Sequence, residues 1–225
     1  MKTYGRRYLF TGCMLIALFI LWTILIQIVD VQPIGANGTS VGFAIWNSWF
    51  HELTGVHMTL YILTDWLGLV PIFICMIFAG IGFVQLVRRR SLFKVDYDIL
   101  LLGIYYVIVI FSYLIFEMIP INYRPILIDG ILEASYPSST TLLVLCVMPT
   151  LIERTSRKLK QSKVKWLKVN RLTRLFAICF SAFMVLGRLV SGVHWFTDIV
   201  GAIILSAGLF YIYKAGILFA NKDVE

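Results

Sequence analysis

A chain of 225 residues that is 60% hydrophobic and 14% charged, with a mean hydropathy of +0.86, lies far outside the composition of a soluble globular domain. Its net charge of +8 would suit nucleic acid, but the basic residues flank apolar runs, so lipid headgroups are the expected partners and nucleic acid is not. Each crossing of a bilayer takes about 20 apolar residues, so this length holds roughly six with short connections, and we expect one integral membrane domain over residues 1–225.

Lys2, Arg6 and Arg7 precede a first apolar run from Tyr8 to about Val29, long enough to be a retained span rather than the shorter core of a cleaved signal. The mixed stretch that follows contains VGFAIWNSWFHEL, whose Phe43, Trp46, Trp49 and Phe50 recur at helical spacing; it predicts an interfacial helix between spans one and two. The second span runs from about Tyr61 to Val87, with Asp65 at its outer end and a kink expected at Pro71. A third covers about Ile99 to Phe116, and the polar connection Glu117 to Pro137 follows. A fourth runs from about Ser138 to Ile152, a fifth from Leu175 to Val190 after the basic loop Arg154 to Arg174, and a sixth from Trp195 to Tyr213. The expected fold class is therefore all-α, with six transmembrane helices. Cys13, Cys75, Cys146 and Cys179 all fall in apolar runs, far apart, so neither a disulfide nor a zinc site is expected.

Loops kept in the cytoplasm carry lysine and arginine in excess, and here eighteen of the twenty fall on one side of a six-span arrangement. Both termini are thereby expected to be cytoplasmic, in a plasma membrane. Only Arg124 and Arg188 lie on the opposite side, where topology does not ask for them, and both become functional candidates.

Arg188 opens the stretch RLVSGVHWFTD, in which Asp198 follows His194 by four residues. On a helix starting near Val193 the carboxylate would stack beneath the imidazole and hold one ring nitrogen. Taken alone, that spacing fits a paired interfacial histidine as well as a nucleophile. Ser191 and Gly192 supply a turn that lets Arg188 fold back toward whatever the histidine faces, and a phosphate suits that charge. Pro137 and Ser138 read as a helix start whose free amides favour an anion.

Three pieces on the outer side, EMIPINYRP at Glu117 to Pro125, YPSST at Tyr136 to Thr140, and the arginine–histidine–aspartate stretch, resemble the signature of the type 2 phosphatidic acid phosphatase superfamily, K-x6-R-P, P-S-G-H and S-R-x5-H-x3-D. Seven of its eleven positions match: Arg124, Pro125, Pro137, Ser138, Arg188, His194 and Asp198. The resemblance implies a membrane lipid phosphatase with its site at the outer surface, acting on a lipid phosphate or diphosphate such as a polyprenyl diphosphate or a phosphatidylglycerol-type phosphate. It implies that His194 forms a phosphohistidine steadied by Asp198, with Arg124, Ser138, Ser139 and Arg188 holding phosphate, and that no metal or other cofactor is required. Four positions depart. Ser139 and Gly187 are small-for-small replacements, but Glu117 stands where the signature has lysine, and Thr140 where it has the histidine that protonates the leaving group. A threonine hydroxyl holds its proton too tightly for that task, which favours a diphosphate, whose leaving group needs no proton. Glu117, His51 and His57 are the candidate substitutes; Asp129 and Glu133 read as loop-solvating groups. A lipid-phosphate binder or carrier on the same fold, without turnover, is the alternative.

Overall fold

The computed structural model describes residues 2–159 and 165–220, and among these no strand occurs, only three isolated bridges. The described residues form eight α-helices: α1 (Lys2–Ile28), α2 (Ala44–Thr54), α3 (Met58–Leu67), α4 (Leu69–Arg89), α5 (Tyr97–Met118), α6 (Ser139–Leu159), α7 (Lys165–Val190) and α8 (Phe196–Ala220). Part of the basic loop expected over Arg154 to Arg174 lies outside the described residues; Lys165 to Arg174 are helical and extend α7 well ahead of the expected start at Leu175.

Five helical stretches among the described residues are long and apolar enough to cross a bilayer, against the six expected: Thr3–Ile28, Met58–Arg89, Tyr97–Met118, Lys168–Val190 and Phe196–Ala220. The chain is an integral membrane protein. The helix that falls short is α6, whose apolar run is diluted by Ser139, Thr140 and Thr141 at one end, Pro149 and Thr150 in the middle, and Glu153, Arg154 and Arg157 at the other. It is nevertheless the innermost element. Leu142, Val144, Cys146, Val147 and Met148 are all buried, and α6 packs against α7 and α8. A helix shielded by its neighbours need not present an apolar surface to lipid, so the hydropathy signal weakens where packing is densest.

The second span breaks at Gly68, not at Pro71 as expected. Proline has no amide to give the carbonyl four residues earlier, that of Leu67, and its ring crowds it; the chain accommodates this one turn ahead, where the Gly68 amide bonds back to Thr64 and Asp65. The bend turns α3 onto α7 while α4 runs beside α5 and α6. The largest interhelical contact joins α1 to α8. A Cβ at Gly12 would lie 3.0 Å from the Ile212 amide and 3.1 Å from the Gly208 carbonyl, so the two backbones touch. Since lipid tails are as apolar as leucine, such close approach supplies the packing that drives helices together in a bilayer.

Between α1 and α3, α2 leaves Ile45, Trp46, Trp49 and Leu53 exposed but buries Asn47 completely. That asparagine donates to the Gly42 carbonyl at 2.8 Å and to Thr197 Oγ1 at 3.1 Å, which pins α2 to the start of α8.

Candidate active site

The N-terminal ends of α6 and α8 meet, with the Ser138 amide donating to the Asp198 carbonyl at 3.3 Å. Ser138 is fully buried just ahead of α6, its Oγ bonded to Thr141 Oγ1 at 3.0 Å. The α8 helix starts at Phe196 rather than near Val193, because Asp198, in its first turn, caps it: Asp198 Oδ2 accepts the Trp195 amide at 2.9 Å, the carboxylate half of a capping box. Trp195 Nε1 to the Tyr123 carbonyl, 2.8 Å, and Trp22 Nε1 to the Thr197 carbonyl, 3.2 Å, clamp the same turn.

This shorter helix changes the expected pairing. The His194 ring is held by the Ser135 carbonyl, 3.1 Å from Nδ1, while the nearer Asp198 oxygen stands off at 3.7 Å. A carbonyl can only accept, so Nδ1 carries the hydrogen and Nε2 is left with its lone pair. Asp198 is completely buried, and from behind its Oδ1 accepts a hydrogen bond from Asn122 Nδ2 at 3.2 Å. His194, 3% exposed, has its pKa pushed well below the ordinary histidine value, first by burial and then by the nearby charges of Arg124 and Arg188. It is therefore a neutral imidazole at neutral pH.

Arg124 lies in the α5–α6 connection with one Nη1 3.3 Å from His194 Nε2 and 3.4 Å from the Val193 carbonyl. Its Nε donates to Glu133 at 2.9 Å, so Glu133 is an ion-pair partner and not the loop-solvating group expected. Arg188, at the end of α7, is 1% exposed. Its Nη2 donates to Thr140 Oγ1 at 2.6 Å and to Asp65 Oδ1 at 3.2 Å, whereas Nε and Nη1 have no partner although both are buried. Both guanidiniums approach the Tyr61 ring, at 4.9 Å for Arg188 and 5.8 Å for Arg124, so the two cations share one corner of the molecule.

Two glycines make this corner possible. Gly192 sits at φ +71, and a Cβ there would lie 2.1 Å from the Gly55 carbonyl; only glycine allows the turn before His194 to seat against the α2–α3 corner. At Gly187 a Cβ would lie 2.7 Å from Thr64 Cγ2, so the serine of the family signature has no room here.

A cavity of about 180 Å³ opens onto His194 and Arg124 and is lined also by Glu117, Glu133, Ser135, Ser139 and Tyr113. Of the expected residues, Arg124, Ser139, His194 and Glu117 thus line one space; Thr140, which Arg188 bonds, lines a second, more apolar cavity together with Asp65 and Ser139, and Ser138 and Asp198 are buried where α6 and α8 begin. His51 and His57 do not reach it: His51 Nε2 meets the Gly192 carbonyl at 3.1 Å and His57 Nε2 the Thr54 carbonyl at 2.8 Å. Asp65, Tyr61, Asn122 and Ser135 had not been singled out as site residues. Asp65, an acid inside an apolar run, was the one legible signal among them, because such a charge needs a partner.

The sequence profile of the PAP2 superfamily matches residues 9–221, nearly the whole chain. The chain belongs to the PAP2 superfamily. A solved structure, a transmembrane PAP2-type phosphatidylglycerolphosphate phosphatase from Bacillus subtilis, superposes with a TM-score of 0.64, covering 95% of this chain and 97% of that one at 17% identity. At that identity the likeness shows a shared PAP2 membrane fold. No curated protein matches this chain.

Proposed function

We propose that this PAP2 member is a membrane lipid phosphatase that hydrolyses a lipid phosphate or diphosphate through a phosphohistidine at His194, in a site facing away from the cytoplasm. The observation that carries the reading is Arg188: two nitrogens of its buried guanidinium have no protein partner, each unmet buried donor costs about 1–3 kcal/mol, and an arriving anion would satisfy both. The Nε2 lone pair, beside Arg124, attacks phosphorus; the P–N bond forms as the bond to the leaving oxygen breaks. Arg124 and Arg188 gather the charge of the transferring group, helped by the first amides of α6 at Ser139. Asp198, close beneath the ring, stabilises the imidazolium that results, while the Ser135 carbonyl keeps Nδ1 protonated. Water then attacks phosphorus, the P–N bond breaks, and inorganic phosphate departs.

Thr140 accepts from Arg188 and so orients that guanidinium; it supplies no proton. The same proposal includes six spans, with the shielded α6 crossing as the fourth, a single domain, α2 lying in the membrane surface on its exposed tryptophans, and cytoplasmic termini in a plasma membrane. One observation favours the binder reading: Arg124 already faces Glu133, which a substrate phosphate must displace, and Asp65 already offsets part of the charge of Arg188. Phosphate release from a panel of lipid mono- and diphosphates, with His194→Ala as the control, separates the two. Release by the unsubstituted protein that the control lacks supports the phosphatase; saturable binding without release by either protein supports the binder.

A further inference from the structure

Asp65 stands where neither its helix nor the bilayer asks for a carboxylate. It lies in the last turn of α3, inside an apolar span, and a negative charge at a helix C-terminus opposes the helix dipole. Its Oδ1 accepts from Arg188 Nη2 at 3.2 Å, and the same nitrogen donates to Thr140 Oγ1 at 2.6 Å, so one guanidinium nitrogen holds both groups side by side. Both line a cavity of about 510 Å³ whose walls are mostly apolar, among them Leu69, Ile72, Val109 and Leu143. Ser139 and Tyr113 line this cavity as well as the smaller one that opens onto His194, so the two spaces adjoin at these side chains. A lipid phosphate lying across that junction has His194 on one side of phosphorus and Thr140 with Asp65 on the other, where the tail continues into the apolar cavity. Displacement at phosphorus is in line: Nε2 attacks from one side, the leaving oxygen departs from the other, and the water that later cleaves the P–N bond enters where the leaving group stood. A threonine hydroxyl is too weak a base to activate that water. Glu117 and Glu133 line the smaller cavity, on His194's own side of phosphorus. Asp65 remains, with more than half of its side chain exposed.

We propose that Asp65 is the general base of the second half-reaction, the hydrolysis of the phosphohistidine. This rests on the phosphohistidine reading above and adds a residue to it. With Oδ1 held by Arg188, Oδ2 takes a proton from water as the water oxygen bonds to phosphorus; the P–N bond breaks, its electron pair returns to Nε2, and the neutral imidazole is restored with its hydrogen still on Nδ1. Inorganic phosphate departs, and Asp65 releases its proton to solvent. A carboxylate paired with a guanidinium accepts a proton and has none to give, so Asp65 suits this step and not the expulsion of the lipid. A leaving group that is itself a phosphate needs no proton. The first half-reaction of a diphosphate lipid should therefore proceed without Asp65, and the second should not.

The test follows the phosphoryl group on and off His194. Full-length protein in detergent is mixed with farnesyl diphosphate or dioctanoyl phosphatidic acid labelled on the terminal phosphate, chased with unlabelled substrate, and quenched in alkali over a time course. Asp65→Asn keeps an oxygen that accepts from Arg188 but takes no proton; Asp65→Ser, equally without a base, gives a second reading should the amide disturb the fold. With farnesyl diphosphate, His194 in these variants should be labelled about as fast as in the unsubstituted protein, while loss of the label slows at least about tenfold. Asp65→Glu, which restores a base, should lose its label faster than Asp65→Asn. A smaller slowing overturns the inference. So does a folded Asp65→Asn protein that takes up no label while the unsubstituted protein does, since Asp65 then only places Arg188. Both of these results leave the phosphohistidine reading standing. Absence of label on His194 of the unsubstituted protein with either probe removes that reading, and the inference with it.

Discussion

Replacing Arg188 by methionine separates what this side chain does for the fold from what it does for a ligand. In the ligand-free protein its Nε and Nη1 are buried without partners, each at a cost of about 1–3 kcal/mol. Set against this are the bonds to Thr140 at 2.6 Å and Asp65 at 3.2 Å and the contact with Tyr61 at 4.9 Å. These are of similar size, about 1.5–3 kcal/mol for a good charge-assisted bond, with the Asp65 pair discounted because that carboxylate is more than half exposed. The opposing contributions nearly cancel, so Arg188→Met should change the stability of the ligand-free protein by no more than about 1 kcal/mol, or roughly 2–4 °C in Tm for a chain of this length. With phosphate present the balance is lost. Two charge-assisted bonds disappear, and binding should weaken by on the order of 3 kcal/mol, about a hundredfold. Thermal unfolding in detergent, with and without a soluble lipid phosphate, reads both effects. A variant that unfolds more than roughly 3 kcal/mol more easily without ligand, or that phosphate stabilises as much as it does the unsubstituted protein, refutes the assignment of those two nitrogens to an anion.

Three further outcomes follow from the same geometry. Because the folded-state pKa of His194 lies well below its unfolded value of about 6.5, the unfolded chain takes up a proton that the folded one refuses as pH falls through that value; stability should decline from about pH 7 downward, and His194→Gln should flatten that slope in pH-dependent Tm. By the same depression the acid limb of turnover should lie below the ordinary histidine value of about 6.5, and a limb at or above that value that tracks His194 would contradict the burial argument. Asp198→Asn puts an amide nitrogen against either the Trp195 amide or Asn122 Nδ2, and should cost about 1–3 kcal/mol of stability together with most of the turnover; an unchanged melting curve would show that neither bond matters. In a cysteine-free background, an impermeant thiol reagent added to intact cells should label Asp129→Cys and spare Arg171→Cys, and the opposite pattern would invert the membrane orientation proposed from the basic residues.

The residues that stood out in the sequence are those whose chemistry clashes with their surroundings. Arg124, Arg188, His194 and Asp198 are charged or polar groups beside long apolar runs, and the structure brings all four to one corner. What stayed hidden is what the backbone does and what comes from far along the chain. The hydrogen bond that sets the His194 tautomer ends on the Ser135 carbonyl, which any residue type would provide. Asp65 reaches Arg188 across 123 positions, and no local spacing announces that pairing. The spacing of His194 and Asp198 was legible, but the start of α8 was not: a first-turn aspartate serves as a cap before it serves a neighbour's ring. The fourth expected span, Ser138 to Ile152, corresponds to α6, which is not among the five helices long and apolar enough to cross a bilayer because polar residues stand at both its ends. Glu133 reads as loop-solvating from the sequence, because an acidic residue in a polar loop is ordinarily solvated, and only the fold places it 2.9 Å from Arg124.

The central claim, a phosphoryl group carried on His194 Nε2, is tested most directly by trapping it. Protein mixed briefly with a lipid substrate bearing a labelled phosphate, then denatured in alkali, should carry the label on the peptide containing His194; a P–N bond survives alkali and is lost in acid, and His194→Ala protein should carry none. Label on a serine or threonine, or phosphate release that continues undiminished in His194→Ala, would contradict the account.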